Sequence, residues 1–475
     1  MIQAQIDAFL YEQIAGKIAT LIEKKTFRPG EKVPSVRKLS TQEKVSISTV
    51  LQAYFLLEDR GLIEARPQSG FYVRLRPREL PPEPAMSNPP LSASRVNVSE
   101  LVAEIHDAMS KQDMIPFGAA IPSPELIPIR RLNLTLAAVA RRSDAANHSY
   151  GPTQGLEELR HQIARRSVDW GCALSGEDII ITFGCTEAVN LCLRTVANPG
   201  DTIAVESPTY YGFLQMIESL KMKALEIPTH PRDGMCLDAL ESALKRQNVK
   251  ACLVVPNFNN PLGSCMPEKK KKDLVELLGR NEIPLIEDDI YGELYFGRER
   301  PKVCKSYDKR GLVLLCSSFS KCLSPAYRVG WMAPGRFKAE AKRLKLMNTL
   351  TCVAPTQMAI AEILRSGGYD HYLRSIRRAY HSQVQLVTQA ILKYFPKQTK
   401  VTRPQGGYVL WVELPKSVDS LSLYRKALEH KISIAPGVMF SPKEHYRNFI
   451  RLNCASPWSD KTDHALLTLG RLVSV

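Results

Sequence analysis

No apolar run in this chain of 475 residues reaches the roughly 18 residues that a bilayer-crossing helix needs, which excludes such a helix. The opening Met1-Ile2-Gln3-Ala4-Gln5-Ile6-Asp7 lacks the basic and apolar stretches of a secretory signal, so a cytoplasmic protein is expected. The eleven cysteines are odd in number, contain no Cys-x-x-Cys pair and sit in apolar segments such as Leu191-Cys192-Leu193. They read as reduced core residues, and neither a disulfide framework nor a metal site is expected. No internal repeat is found. Acidic residues are in deficit, 48 against 64 Lys and Arg, for a net charge of +16. Residues 1–76 carry 12 of those bases and 8 acids, so the excess is only mildly denser there. Charge is compatible with a nucleic-acid partner without pointing to one.

The length predicts two or three domains. Leu10, Ile14, Ile18, Leu21 and Ile22 recur at helical spacing until Phe27-Arg28-Pro29-Gly30 stops them. Ser35 suits the cap of a short second helix, and Ser46 that of a third whose inner face is Val50, Ala53, Tyr54 and Leu57. After Gly61, two extended runs flank a turn in Leu62 to Val73, as in a hairpin. Three helices and a wing predict a winged helix-turn-helix over 1–76.

Prolines 77, 81, 82, 84, 89 and 90 then mark a linker over 77–99, extended and fairly stiff, able to hold the small domain away from the rest. Beyond it, Ile179-Ile180-Ile181, Thr202 to Val205, Ala251 to Val255, Pro284-Leu285-Ile286 and Val313 to Cys316 read as buried parallel strands alternating with helices. An α/β region of 100–475 is expected, with a large part over about 140–350 and a smaller α/β part over about 355–475 joined by the N-terminal portion. The basic run Lys269 to Lys272 follows Pro267 at a helix start and reads as a solvated helix face.

Chemistry concentrates in Ser317-Ser318-Phe319-Ser320-Lys321, with Arg328 seven residues on. A lysine able to be neutral suits a Schiff base, while hydroxyls and a guanidinium suit a phosphate. Pyridoxal 5'-phosphate (PLP) asks for both at once. Gly184-Cys185-Thr186-Glu187 follows a strand and opens a helix, whose first N–H groups suit a phosphate.

With these motifs in order, residues from about 110 to 475 resemble the fold-type I PLP enzymes, the aspartate aminotransferase superfamily. The resemblance implies a mainly parallel sheet, with Lys321 as the cofactor-linked, catalytic lysine. Ser318, Ser320, Arg328, Cys185 and Thr186 would bind the phosphate. Asp288 would pair with the pyridine nitrogen, its neighbour Asp289 being the alternative. Tyr291 and Asn260 would meet the 3'-oxygen, and Tyr210 would stack on the ring. Arg451 would hold the carboxylate of an amino acid substrate or effector. Tyr150 would cross a homodimer interface to the partner's phosphate, or else pack its own loop.

Pro34-Ser35-Val36-Arg37-Lys38-Leu39, Val45 to Thr49 and Arg66 to Val73 resemble the GntR-family winged helix. That likeness implies double-stranded DNA as partner, with Ser46, Ser48 and Thr49 at the start of a major-groove helix and Arg37 and Arg66 on the backbone. Ile47 stands where many members carry arginine. The whole arrangement resembles the MocR subfamily of GntR regulators, departing from its usual Phe-Pro and tryptophan at Ile127 to Leu132. It implies a DNA-binding transcriptional regulator whose PLP domain senses PLP or an amino compound. The alternative is a working aminotransferase that carries a DNA-binding domain. A narrower form of the first makes PLP itself the signal.

Overall fold

A computed structural model of the chain describes residues 10–474, apart from 25, 29, 60, 67–68, 75–79, 110–113 and 143–148. The chain divides into two compact units between Leu80 and Pro81.

The first unit contains α1 (Leu10–Glu23), α2 (Val36–Glu43), α3 (Ile47–Asp59), β1 (Ile63–Arg66) and β2 (Gly70–Val73). Ser35 Oγ caps α2 by accepting from Lys38 N–H at 3.2 Å, and Ser46 Oγ accepts from Thr49 N–H at 3.1 Å. Ile14 and Ile18 of α1 meet Val50, Ala53, Tyr54 and Leu57 of α3 in one core. Tyr54 is fully buried, and its hydroxyl donates to the Pro34 carbonyl at 2.6 Å, which removes the cost of an unpaired buried O–H. The antiparallel wing pairs Ile63 with Val73 and Arg66 with Gly70. The predicted winged helix is observed in each element.

The second unit begins with β3 (Ser94–Arg95), α4 (Ser99–Met109), β4 (Ile115–Pro116), α5 (Ile129–Arg142) and α6 (Glu157–Arg166). Its main sheet follows with β5 (Ile180–Thr182), α7 (Gly184–Val196), β6 (Thr202–Ser207), α8 (Tyr211–Ser219), β7 (Lys223–His230), β8 (Gly234–Met235), α9 (Leu237–Arg246), β9 (Val249–Val254), α10 (Glu268–Arg280), β10 (Leu285–Asp288), β11 (Val313–Ser318) and β12 (Gly330–Ala333). The remainder is α11 (Lys338–Thr349), α12 (Ala354–Arg365), α13 (Gly368–Tyr394), β13 (Lys400–Val401), β14 (Val409–Glu413), α14 (Ser420–Glu429), β15 (Ile432–Ser433), β16 (Ala435–Pro436), β17 (Phe449–Asn453) and α15 (Asp460–Ser474).

The main sheet runs β3-β7-β6-β9-β10-β11-β12-β5, with β8 beside β7. From β7 to β11 every pairing is parallel, and those strands are apolar because helices cover both faces. One expectation is corrected: Ile180 and Ile181 belong to a strand that, among the described residues, pairs only with β12, and antiparallel. The short strand β12 returns between β11 and β5, and nothing in Gly330-Trp331-Met332-Ala333 announces its direction. A second, four-stranded sheet, β13-β14-β17-β16, forms the C-terminal part.

The proline-rich segment is also corrected. Residues 81–90 form neither helix nor strand, as expected, but from Pro81 on the segment is bound to the second unit rather than free as a spacer. Proline gives no N–H yet leaves its carbonyl as an acceptor. Pro82 and Pro81 carbonyls accept from Val401 N–H at 2.8 Å and from Arg403 at 3.1 Å, and Glu83 pairs with Arg232.

Candidate functional site

The carboxyl ends of β6, β9, β10 and β11 converge on a cavity of ≈ 200 Å³, the position where parallel α/β sheets place ligands. Asp288 closes β10 and lines it. One carboxylate oxygen, Oδ1, accepts from Ile290 N–H at 2.9 Å and from the Cys185 thiol at 3.3 Å. Burial pushes this carboxyl up to about 6, against the pull of those two donors and of Lys321. Asp289 is committed elsewhere: it forms a buried ion pair with Arg300 and accepts from Asn257 Nδ2 at 2.7 Å. The two aspartates that sequence alone left open are therefore separated, and Asp288 faces the cavity.

Lys321 follows β11 and also lines the cavity, its Nζ donating to the Ala120 carbonyl at 2.7 Å. Burial pushes the amine down to about 8; the positive charges of Arg451 and Arg328 add to that, and Asp288 opposes it. Opposite, Gly184 opens α7 at φ +80°, and Cys185 and Thr186 of its first turn line the cavity. A Cβ on Gly184 would stand 2.6 Å from the Arg328 guanidinium, and one on Gly330 would run into the Gly184 backbone. Arg328 lies against the helix start, donating to the Phe183 carbonyl at 2.9 Å and to Ser320 Oγ at 3.4 Å. Ser320 lines the cavity. Ser318 does not: its hydroxyl donates to Ser320 Oγ at 2.8 Å or the Val329 carbonyl at 3.0 Å, and it accepts from Ser320 N–H at 3.0 Å. It braces the turn that carries Ser320 and Lys321, a role that its type and spacing do not distinguish from that of a ligand.

Tyr210, Tyr291 and Asn260 complete the wall. Burial raises both phenols. Arg451 on β17 is fully buried, donating to Asn260 Oδ1 at 3.3 Å and to the Gly118 carbonyl. Neither bond goes to a carboxylate, its Nε has no partner among the described residues, and the side chain lies behind the cavity wall rather than in it. A buried guanidinium with an unmet donor favours an anion. Tyr150 is not brought here; it is 83% exposed and lines no part of the cavity in its own chain. Reading by motif missed Ala120, whose carbonyl meets both Lys321 and, at 3.3 Å, the Tyr408 hydroxyl. No sequence signal marks a carbonyl. Lys271, read as part of a solvated face, is instead fully buried, donating to Asn257 Oδ1 at 2.6 Å and the Lys302 carbonyl at 2.7 Å.

In the winged helix, Arg37, Ser46 and Ser48 are exposed and Thr49 half-buried. Ser46 Oγ lies 2.7 Å from Ser48 Oγ and 2.8 Å from Thr49 Oγ1, so the three hydroxyls form one cluster at the start of α3. Ile47 beside them is 51% exposed. Arg66 ends β1, and its side chain lies outside the described residues.

Residues 129–469 match the aminotransferase class I and II family, and residues 10–73 match the gntR family of bacterial regulatory proteins. The chain is 41% identical over 98% of both chains to the uncharacterized HTH-type transcriptional regulator YdcR of Escherichia coli. A crystal structure of kynurenine aminotransferase from Pyrococcus horikoshii, in complex with PMP, superposes with a TM-score of 0.74 at 28% identity, over 79% of this chain and 94% of that one. LysN, an α-aminoadipate aminotransferase from Thermus thermophilus complexed with N-(5'-phosphopyridoxyl)-L-leucine, does so with a TM-score of 0.72 at 28% identity, over 80% and 98%. A winged helix that opens a chain whose larger part is built as an aminotransferase, matched end to end by a regulator, places this chain in the MocR-type branch of the gntR family of regulators.

Proposed function

We propose that this protein is a transcriptional regulator whose winged helix binds DNA under the control of a PLP-bearing domain that answers to an amino compound. The observation that carries this reading is the joining, in one chain, of a complete winged helix to a domain that keeps its cofactor-site residues. The reader would occupy 1–76 and the cofactor region 100–475, with α3 in the major groove and Arg37, Ser46, Ser48, Thr49 and Arg66 toward the DNA.

The cavity residues fit PLP. Gly184 leaves room that a Cβ would fill, and Arg328, Ser320 and the first N–H groups of α7 supply phosphate donors at a helix start. Asp288 Oδ2 is left for the pyridine nitrogen, since the two donors go to Oδ1. Tyr210 offers a face for the ring, with Tyr291 and Asn260 at its oxygen. When bound, PLP offers an aldehyde to amines and an electron-withdrawing ring. Lys321 Nζ, depressed to about 8, would be the amine that holds the cofactor and the group able to hold or return a proton. Arg451 would take the effector's carboxylate at its unmet Nε edge.

A homodimer is supported by Leu346, Met347, Leu350 and Val353, large apolar side chains about half exposed within one stretch. In such a dimer Tyr150 would reach the partner's phosphate. The second reading, a working aminotransferase, is favoured by the depressed Lys321 amine and the unpaired Arg451 Nε together. Fluorescence anisotropy on the DNA upstream of the gene, with and without PLP and at several salt concentrations, tests the first. Absence of specific binding over random duplex in every ligand state would refute it. Multiple turnovers between an amino acid donor and a 2-oxo acid acceptor would establish the second.

A further inference from the structure

Ser87, in the proline-rich segment, ties the carboxyl ends of two sheet strands together. Its Oγ donates to the Ser207 carbonyl at 2.6 Å and accepts from Thr229 N–H at 2.8 Å, while its N–H donates to the Thr229 carbonyl at 3.3 Å. Ser207 ends β6, three residues before Tyr210 of the cavity wall. Between them, Thr209 N–H donates to the Phe440 carbonyl at 3.0 Å. Ser207 Oγ donates to the buried Glu226 at 2.7 Å, so in its 2.7 Å contact with Tyr446 the phenol is the donor, and the same phenol also meets the Ser87 side chain. The segment from Ser207 to Tyr210 is thus held between Ser87 and residues of the C-terminal part.

The same proline-rich strap binds both parts of the unit. Val401 and Arg403 hold Pro82 and Pro81, and Lys443 Nζ donates to the Ser92 carbonyl at 3.0 Å. From the large part come Arg232 to Glu83, Gln247 Nε2 to the Leu91 carbonyl at 3.0 Å, and β7 to β3. A relative displacement of the two parts must change some of these bonds. Prolines 84, 89 and 90 have no N–H to give, which leaves the neighbouring serine to grip the strand ends.

We propose that Ser87 is a positioning residue for Tyr210, acting through Ser207, and that residues 81–95 carry the state of the cofactor cavity toward the chain's DNA-reading end. The second clause rests on the regulatory reading above; the first does not.

Full-length Ser87→Ala, Ser87→Thr and Tyr446→Phe proteins are titrated with PLP, followed by the cofactor absorbance band, and with the upstream duplex, followed by anisotropy with and without PLP. Loss of one such hydrogen bond changes an equilibrium by about two- to tenfold. Ser87→Ala is expected to weaken PLP binding by that factor and to bring the ratio of DNA affinities, with and without PLP, correspondingly nearer to one. Ser87→Thr restores both, and Tyr446→Phe, which removes the phenol that meets Ser207 and Ser87, reproduces the alanine effect. Wild-type PLP affinity and wild-type ratio in Ser87→Ala overturn the proposal. A ratio of one in the wild-type protein refutes the regulatory reading and the relay with it, and PLP affinity then decides the positioning role alone. Far-UV circular dichroism checks folding. Should Ser87→Ala fail to fold, Tyr446→Phe, whose ring keeps its packing on Trp411, supplies the same readouts.

Discussion

Raising the pH of cofactor-free protein should accelerate its covalent capture of PLP along a curve set by Lys321. Only the neutral amine attacks an aldehyde. With burial and the nearby Arg451 and Arg328 charges pushing this amine down to about 8, about 9% of molecules carry it neutral at about pH 7, against about 0.03% for a lysine left at its ordinary 10.5. The capture rate should therefore rise about tenfold per pH unit up to about pH 7, bend near 8 and flatten above it. The folded state binds this proton more weakly than the unfolded chain does. The group's contribution to stability is accordingly least favourable below about pH 8 and improves as pH rises toward 10.5. Stopped-flow absorbance after mixing with PLP, between about pH 6 and about pH 9.5, gives the profile directly. Arg451→Met removes one of the depressing charges and should move the bend upward, while Asp288→Asn removes an opposing one and should move it down. A rate that keeps climbing tenfold per unit from about pH 8 up to about pH 9.5 and ignores Arg451→Met would show that neither burial nor these charges act on the amine.

In Asp288→Asn, a carboxyl held up to about 6 by burial is replaced by a neutral amide. The folded state binds this proton more tightly than the unfolded chain, so the associated stability is present below about pH 4 and lost as pH rises through 6. Cofactor-free Asp288→Asn should therefore be more stable by about 1–3 kcal/mol in urea unfolding at about pH 7.5, a gain that vanishes near pH 4, while PLP binds it more weakly. Gly330→Ala drives a Cβ into the Gly184 backbone and should cost about 1–3 kcal/mol in thermal unfolding. Met347→Glu places a charge in the exposed apolar stretch and should yield monomers by sedimentation velocity; an unchanged dimer would put the interface elsewhere. Arg37→Ala should lower the salt slope of DNA binding by about 1 without changing sequence preference.

The winged helix was legible almost entirely, because its determinants are local: caps at Ser35 and Ser46, a helical stripe, and a turn between two short runs. So were Lys321 and the Gly184 turn, which follow strands, and Arg328, which precedes one. What escaped was decided by partners distant in sequence. Asp288 and Asp289 differ only through Arg300 and Asn257, and Ser318 turns inward because the Val329 carbonyl returns to meet it. Lys271 stands in a run of lysines and is buried because Asn257 and the Lys302 carbonyl wait beneath it. The proline-rich composition revealed an extended chain but not the surface that it covers, since Val401, Arg403 and Ser207 are more than 100 residues downstream.

That covering has a practical side for anyone who would recombine such proteins. The second unit does not start where its helices do, because its surface includes Pro81 to Arg95 as a stitched outer layer. A chimera that grafts a foreign reader at residue 99 would strip this layer and expose the ends of β6 and β7. A junction before Leu80 keeps this layer and its bonds to the strand ends intact.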